Sequence, residues 1–512
     1  MPSLIGIDLG TTSIKAVLYD AEDGRIIASA VRGTPVQHPL EGWSEHDPEE
    51  VWQAAADCIR ELTGSNSAAG MPVAGLAISS MAETGVLMDE NYQPLAPMIA
   101  WYDRRSEPQA AAIESQISIP TLYAITGQRV NPSFGATKIL WTKENAPEIF
   151  RQARRWLPIP AFLLQRLTGQ AAVDYTIAAR TLLFDQRRLE WSDTLLGAFG
   201  IDPQLMPPAA WAGTAIGYVT ALAAAETGLS TQTICVLGGH DHLCAGLAAG
   251  GRGTGAVIDS TGTANALLML QPNFLPDPSL PARNFACYTY VLPDLYVLKG
   301  GLKASGSAIE WLARRLAGGG EPDYAGLEEK AWAGAGKQAG PIWLPHLNGS
   351  GTPEGDRFSR AALVGAQFEH EPHDLFRGML ESLAFWTRQN LEEMQSITEV
   401  AVKSLTLTGG VTRLRLLSQL KADVINLPAV VPTVPEAAAT GAALLAGLGC
   451  GVFSSPAEAV ASLRYANQVI EPDPRRADWY NTLYQEAYRP LYRALQPIHA
   501  AMQRMMGGSF PT

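Results

Sequence analysis

Cysteine is scarce in this 512-residue chain, and its five cysteines stand far apart. No CxxC pair occurs, so the sequence indicates neither a zinc site built from cysteine pairs nor a disulfide framework. No apolar run reaches the roughly 18 residues of a membrane-spanning helix. The first residues also lack the basic and small-residue regions of a signal peptide. These absences predict a cytoplasmic protein without a membrane partner.

Charged residues are sparse as well, at 17% of the chain, and their sum is a net charge of −12. An acidic chain is poorly suited to bind a nucleic-acid backbone, so we expect no nucleic-acid partner. The chain is 47% hydrophobic, which is typical of a well-cored globular protein. Its length exceeds what one hydrophobic core usually supports, and therefore predicts two domains.

The stretch that follows the first apolar run carries polar chemistry. Residues 4–7 and 14–19 are typical of two buried strands. Between them lie Asp8, Gly10, Thr11, Thr12 and Ser13, which offer a carboxylate, a tight turn and three hydroxyl groups. A concave set of backbone and hydroxyl donors suits phosphate, and a carboxylate suits Mg²⁺ held through water. An ordinary polar hairpin turn is the alternative. The GxxxxGK[ST] loop is absent, which excludes a Walker-type phosphate site.

A similar pattern recurs about half a chain length later. Residues 255–268 again consist of an apolar strand, a Gly262-Thr263 turn and a second apolar strand. Such recurrence indicates an internally duplicated architecture. We place the domain boundary between Asp241 and Gly255, which gives domains at residues 1–245 and 246–512.

Strands alternate with helices along the chain, which indicates α/β layers. Asp47 and Pro48 predict the start of a helix, and the clearest helix in the segment 107–230 is expected at 150–169. Further helices are expected at 243–249, 370–394 and 415–425. The tyrosines spaced by four residues near the C-terminus predict a packed helical stripe: Tyr480, Tyr484, Tyr488 and Tyr492.

Seven short motifs, taken in order, resemble the FGGY family of carbohydrate kinases, relatives of actin, hexokinase and Hsp70 in fold. They are DLGTT at 8–12, GWSEHDP at 42–48, WYDRR at 101–105, GHD at 239–241, TGT at 261–263, GG at 409–410 and EAAATGAA at 436–443. The resemblance covers roughly residues 4–450. It implies an α/β fold of two ribonuclease-H-like domains with a cleft between them, ATP lying mostly against the second domain and sugar against the first.

The resemblance assigns roles to individual residues. Asp241 matches the catalytic aspartate of the family and becomes the candidate base, although it could instead only cap the helix that follows. Asp8 and Asp241 are the candidate Mg²⁺ ligands. His240 and His242 are expected to contact substrate or to form local hydrogen bonds, with metal ligation less favoured. The candidate ATP-binding residues are Gly10, Thr11, Thr12, Ser13, Lys15, Gly262, Thr263, Gly301, Ser305, Gly409 and Gly410. For Lys15, an exposed strand lysine without a ligand is an equal alternative.

Sugar recognition needs hydrogen-bonding side chains and an aromatic face, and four residues fit that need: Glu83, Trp101, Asp103 and Arg104. This part of the chain departs from known relatives. Glycerol kinases carry an arginine where Ala82 stands and a tyrosine where Ser133 stands, so glycerol is disfavoured. Residues 80–85 also differ from the Gly-Gln-Met-His-Gly of xylulokinases. A ketopentose such as xylulose, a ketohexose, a polyol and a sugar acid all stay open.

The implied function is ATP-dependent phosphorylation of a small-sugar hydroxyl in carbohydrate catabolism, with a homodimer as the expected assembly. An actin- or Hsp70-like nucleotide-hydrolysing switch without a sugar substrate is the alternative from another class. A sugar-binding protein that has lost catalysis is a third interpretation, which the intact Asp8 and Asp241 disfavour. The cluster from Trp101 to Arg104 separates the first two, since a switch does not need sugar-binding residues.

Overall fold

The computed structural model describes residues 3–65, 72–337 and 340–507. Its first half is built on a six-stranded sheet in which Ser3–Leu9 is central. That strand has an antiparallel hairpin partner on one side and a parallel neighbour on the other. Along the sheet the strands are Ala215–Tyr218, Ile234–His240, Val73–Ser80, Ser3–Leu9, Ser13–Asp20 and Arg25–Gly33.

The second half is built on a seven-stranded sheet with the same arrangement around Val257–Thr261. This strand again has an antiparallel hairpin partner on one side and a parallel neighbour on the other. Along the sheet the strands are Ala286–Thr289, Tyr296–Leu302, Asn265–Gln271, Val257–Thr261, Leu405–Thr408, Ala429–Pro432 and Asn467–Ile470. The repeated topology agrees with the duplicated α/β architecture that the two Gly-Thr turns predict.

Smaller sheets and helices complete the layers. A four-stranded sheet contains Glu45–His46, Met98–Ile99, Gly85–Met88 and Arg155–Pro158. Three two-stranded pairs are Phe184–Asp185 with Glu190–Trp191, Ala209–Ala210 with Val173–Asp174, and Ile342–Leu344 with Ala362–Val364. The α-helices are Pro48–Thr63, Glu107–Gln116, Ile119–Thr126, Gly135–Asn145, Pro147–Gln152, Ile159–Thr168, Tyr175–Ala179, Asp193–Phe199, Ala221–Thr227, Asp241–Ala248, Gly306–Leu316, Tyr324–Gly334, Pro372–Thr398, Arg415–Ile425, Ala437–Gly449, Pro456–Ser462, Pro474–Leu483 and Arg489–Gly507.

The prediction of one helix at 150–169 is wrong. The structure has a helix ending at Gln152, the strand Arg155–Pro158 and a new helix from Ile159. Pro158 disfavours the helical conformation at Leu157. The strand pairs with Gly85–Met88 and buries Trp156 at 2% exposure. Pairing with a distant strand therefore decides the conformation of this segment.

Other local predictions are confirmed. The Asp47 side chain accepts hydrogen bonds from the backbone N–H groups of Glu49 and Glu50 at the start of the helix Pro48–Thr63. The tyrosine stripe packs inward, since Tyr480, Tyr484 and Tyr488 are nearly fully buried. All three rings lie about 5–6 Å from the ring of Phe385.

A small-residue helix from the second half packs on the first sheet. In Ala437–Gly449, the Ala439 carbonyl lies so close to the strand Ser3–Leu9 that a β-carbon at Gly6 would be 1.8 Å from it. A β-carbon at Gly441 would likewise be 2.0 Å from the carbonyl oxygen of Cys244. These close approaches require glycine, and they fix the helix beside the strand that leads to Asp8. Within the described residues, no helix has the length and apolar character needed to cross a membrane.

Candidate active site

Asp8 lies near the end of the central strand Ser3–Leu9, close to the carboxylate of Asp241. Burial raises the pKa of Asp8 to about 7, and the nearby negative charge of Asp241 contributes in the same direction. Ser79 Oγ donates a long hydrogen bond of 3.4 Å to Asp8 Oδ1. The charge of Lys15 opposes the rise. The structure thus places two carboxylates together with little positive charge to offset them.

Asp241 is the first residue of the helix Asp241–Ala248, directly after the strand Ile234–His240. Its Oδ1 accepts a 2.6 Å hydrogen bond from the backbone N–H of His242. The side chain is 26% exposed, so it can reach a bound molecule while the helix N-terminus stabilises its negative charge. Helix capping and a role as base are therefore compatible in this position.

The two histidines flank Asp241 in different environments. His240 is buried and its Nε2 lies 3.2 Å from Asp241 Oδ1, whereas His242 is half-exposed with its Nε2 at 3.8 Å. Burial lowers the pKa of His240 well below its usual value, and the charges of His242, Arg180 and Lys299 lower it further. His240 is therefore a neutral ring beside the carboxylate. Together these residues form the one cluster within the described ranges that has three metal-compatible groups, all within 4.8 Å.

The backbone behind His240 is held by a buried acidic group that the sequence did not reveal. The His240 N–H donates to Thr176 Oγ1 at 2.8 Å, and Thr176 Oγ1 in turn donates to Asp174. Burial raises the pKa of Asp174 to about 6. The sequence signal at Asp174 is that of a helix cap, which it is; nothing local pointed to His240, which lies 64 residues after Thr176.

The first Gly-Thr hairpin is a closed turn. The Gly10 N–H donates to the Ser13 carbonyl at 3.0 Å, and Thr34 Oγ1 donates to the Gly10 carbonyl at 2.7 Å. Thr12 is exposed at the tip. Lys15, in the following strand, forms an ion pair with Glu436 Oε2 at 2.7 Å. This lysine therefore links the hairpin to the start of the small-residue helix.

The second Gly-Thr hairpin borders a cavity of about 550 Å³. Gly262, Thr263 and Gly410 line it, and its other walls include the apolar side chains Ile309, Val411 and Leu414. Polar turn residues at one end and apolar walls at the other suit a nucleotide, whose phosphates and base need these two environments.

The adjacent glycines Gly409 and Gly410 have different surroundings. Gly409 adopts φ +93°, and a β-carbon there would lie 2.3 Å from the Thr261 carbonyl oxygen. A β-carbon at Gly410 would meet nothing within 4 Å. Gly409 thus packs the turn onto the second hairpin, and Gly410 borders the cavity. Ser305 is buried beneath this hairpin, with its N–H donating to the Thr263 carbonyl at 3.0 Å.

Glu83 and Trp101, two of the predicted sugar-binding residues, each have a polar partner in the structure. Glu83 is buried, has a left-handed φ of 68°, and pairs with Arg180, whose Nε donates to Oε1 at 2.7 Å. Such backbone strain persists where the surroundings over-determine it, and is frequent at binding sites. Trp101 is 37% exposed, and its Nε1–H donates to Thr11 Oγ1 at 2.9 Å. The sugar-side aromatic residue therefore touches the phosphate hairpin.

Asp103 and Arg104 have other partners. Asp103 is buried; Arg105 donates to both of its carboxylate oxygens, and the Ser44 N–H donates to Oδ2 at 2.6 Å. The Arg104 side chain is 74% exposed and pairs with Glu107 at 2.8 Å. Trp101 thus contacts the first hairpin, Glu83 contacts Arg180, and Asp103 and Arg104 contact other residues.

A second cavity, of about 500 Å³, is polar and lies between the two halves. Arg180 and most residues between 128 and 134 line it from the first half, and Lys299, Gly301 and several residues between 348 and 357 line it from the second. Gly301, predicted as an ATP-binding residue, thus borders this polar cavity instead of the apolar-walled one. Sequence reasoning missed Arg180 and Lys299, because each is a single basic residue in an otherwise ordinary helix end or strand.

The two duplicated sheets, the carboxylate pair and the apolar-walled cavity beside the second hairpin are the features of a two-domain phosphotransferase with an alcohol group as acceptor. Residues 3–248 match the N-terminal domain, and residues 258–450 the C-terminal domain, of the FGGY family of carbohydrate kinases. The chain belongs to this family. Its members are carbohydrate kinases, which favours a kinase over the nucleotide-hydrolysing switch considered from the sequence.

Individual relatives carry two different substrate names. A glycerol kinase from Geobacter sp. (strain M21) is 30% identical over 93% of this chain and 95% of its own. A xylulose kinase from Escherichia coli (strain K12) is 29% identical over 97% of this chain and 100% of its own. The solved xylulose kinase from Rhodospirillum rubrum superposes with a TM-score of 0.88, at 29% identity, over 97% of this chain and 100% of that one. Phosphorylation of a sugar or polyol is thus established for the chain.

Proposed function

We propose that the protein transfers the γ-phosphoryl group of ATP directly to a hydroxyl of a small sugar, polyol or sugar acid in carbohydrate catabolism, with Asp241 accepting the hydroxyl proton. The observation that carries this proposal is the pair of Asp8 and Asp241, in which burial raises the pKa of Asp8 and the charge of Asp241 raises it further. Asp241 also acts on the charge of Lys299 in the polar cavity. Asp241 is thus near both the first hairpin and the polar cavity.

The protein groups divide the work by position. Gly262, Thr263 and Gly410 would bind ATP in the apolar-walled cavity, and the hairpin of Gly10 and Thr11 would contact the transferred phosphoryl group. Direct transfer depends mainly on positioning and on stabilising charge, because the bond changes at phosphorus need little covalent help. The neutral His240 can donate a hydrogen bond to Asp241 and orient its carboxylate toward the acceptor.

The residues around Asp8 fit a magnesium ion. Mg²⁺ prefers oxygen ligands and retains waters, and the Asp8 and Asp241 carboxylates would hold it through these oxygens. Their mutual repulsion, visible in the raised pKa of Asp8, is what a bound cation would relieve. When bound, the ion would offset the negative charge of the ATP phosphates. On this ground we assign Asp8 and Asp241 as the magnesium ligands.

The acceptor is assigned to the surface that Glu83 and Trp101 border. Asp103 is assigned a positioning role, because its oxygens already bind Arg105 and Ser44. Glycerol is disfavoured because Ala82 and Ser133 stand where the resemblance assigns an arginine and a tyrosine to glycerol kinases.

A coupled ADP-release assay over ketopentoses, ketohexoses, polyols and aldonic acids tests the proposal. Asp241→Asn should lower kcat by about 10²- to 10⁴-fold, the usual contribution of a general base, while ATP binding stays near normal. Asp193→Asn is the matched control, because Asp193 also starts a helix but is exposed away from the site. Wild-type turnover in Asp241→Asn, or ADP release that responds to no acceptor, would contradict the proposal.

A further inference from the structure

The polar cavity has an excess of positive charge in its wall. Five cationic side chains line it against two acidic ones: Arg129, Arg180, Lys299, Lys303 and Arg357 against Glu114 and Asp356. The whole chain has the opposite balance, with a net charge of −12. The cationic lining is therefore a local feature of this cavity, and an anion is the ligand that it favours.

The nearby acidic groups offset only part of this positive charge. Glu83 is engaged by Arg180, and Asp356 accepts hydrogen bonds from the Tyr492 hydroxyl at 3.1 Å and the Phe358 N–H at 2.8 Å. Glu114 is exposed at the rim. The chain therefore supplies few anions to the interior of the cavity.

Three of the cationic side chains in the wall have no partner among the described residues. Within the part of the chain that the structure describes, the side chains of Arg129, Lys299 and Lys303 form no hydrogen bond or ion pair. Arg357 lies over the ring of Phe358 at 4.6 Å, which leaves its N–H donors available. A wall of unpaired donors around a cavity of this size suits a ligand with an ionised group.

Lys299 is an unpaired cation of this wall whose charge interacts with that of Asp241. It lies half-buried in the strand Tyr296–Leu302, and burial together with the charge of Arg180 lowers its pKa to about 8. The charges of Glu83 and Asp241 act on its pKa in the opposite direction. An anionic ligand would stabilise the charged form of Lys299, because an unpaired charge in a low-dielectric site is costly.

We infer that the acceptor carries a carboxylate, bound by Lys299 with Arg129 and Arg357, so that the substrate class is the polyhydroxy carboxylic acids. This inference rests on the proposed function, because it concerns the acceptor of the same reaction. The carboxylate undergoes no bond change. The acceptor O–H bond breaks with its proton passing to Asp241, an O–P bond forms at the γ-phosphorus, and the bond from that phosphorus to ADP breaks.

Acceptors that differ only in charge test the inference. Each aldonic acid is paired with the alditol of the same chain length and configuration, and kcat/KM is measured by ADP release. Charge-assisted hydrogen bonds predict a preference for the acid of roughly 10- to 100-fold. Added salt should weaken this preference, because the cavity is open to solvent.

Variants of the cavity identify the cation responsible. Lys299→Gln should raise the KM for the acid about tenfold, leave the KM for ATP unchanged and abolish the preference over the alditol. Lys299→Arg should restore much of it, because it keeps the charge. Lys403→Gln, an exposed lysine outside the cavity, is the matched control. Arg129→Gln gives an independent variant if Lys299→Gln has a lowered Tm.

The contrary outcomes separate this inference from the function beneath it. Equal kcat/KM for acid and alditol, unchanged by Lys299→Gln, would overturn the carboxylate assignment and leave the kinase proposal standing. Stimulation of a neutral acceptor by inorganic phosphate, lost in Lys299→Gln, would show that the cavity binds a free anion and would also overturn it. If no acceptor of any class gave Asp241-dependent ADP release, the proposed function itself would fail.

Discussion

The two Gly-Thr hairpins share a topology but treat their carboxylates in opposite ways. In the second, Asp259 is fully buried and Lys421 Nζ lies 2.6 Å from its Oδ2. Thr261 and Asn265 each donate to Oδ1 at 2.8 Å. In the first, Asp8 has only the long hydrogen bond from Ser79, and the nearest charges include another carboxylate.

The difference separates a structural network from a binding site. A buried carboxylate that is paired and hydrogen-bonded has little capacity left for a ligand. A bound cation would stabilise a carboxylate that lies next to another one. Strongly perturbed carboxylates of this kind are frequent at functional sites. Duplication thus gave both halves a hairpin, and we assign the cation-binding chemistry to the first.

Removing the lysine of the second hairpin should have the largest effect on stability. Lys421→Met leaves Asp259 buried without its counter-charge, which typically costs about 3–5 kcal/mol. The free energy of unfolding in urea measures this loss. The kcat of the protein that remains folded should change little, because Lys421 is buried outside both cavities.

The double variant Lys421→Met/Asp259→Asn is the control, since it removes both charges and should recover part of the loss. A single-variant loss below about 1 kcal/mol, the range of an exposed pair, would mean that the two hairpins differ less than their contacts indicate.

Asp8→Asn should change how stability depends on pH. The pKa of Asp8 is raised from 3.8 to about 7 in the folded protein, so folding favours its protonated form. The stability that protonated Asp8 contributes is fully present below about pH 4 and is lost as the pH rises through 7. Relative to Asp8→Asn, the ligand-free wild type should therefore lose up to about 4 kcal/mol between pH 4 and 8.

Thermal unfolding of both proteins across this pH range measures the difference. Mg²⁺ at pH 8 should raise the Tm of the wild type and not that of Asp8→Asn, because a ligand that binds only the folded state stabilises it. A difference between the two proteins that is independent of pH would show that Asp8 does not take up a proton on folding.

The sequence predicted the features that short segments determine. The hairpin of Gly262 and Thr263, the Asp47 cap and the helix after His240 all depend on neighbouring residues. It did not predict the partners of the charges. Arg180 reaches Glu83 across 97 residues, and Lys421 reaches Asp259 across 162.

The same limit explains the segment from Phe150 to Gly169. Its apolar spacing is compatible with a helix, whereas Pro158 and the pairing of Trp156 and Leu157 with the strand Gly85–Met88 make residues 155–158 extended. Likewise, the EAAATGAA motif indicates a close-packed helix, but not that its partner is Gly6 at the start of the chain. Chemistry at the hairpins was therefore predictable, whereas charge balance around them required the fold.

Lys15→Met should have the smallest effect, and it tests whether the first hairpin has a neutralising lysine of its own. The Lys15–Glu436 pair is one-third exposed on both sides, so its loss should cost no more than about 1 kcal/mol after solvent screening. Lys15 lowers the pKa of Asp8 and Glu436 raises it. The pH midpoint of the Asp8-dependent stability change should therefore move up in Lys15→Met and down in Glu436→Gln. A loss of several kcal/mol in Lys15→Met, as large as that in Lys421→Met, would instead show that both hairpins are neutralised alike.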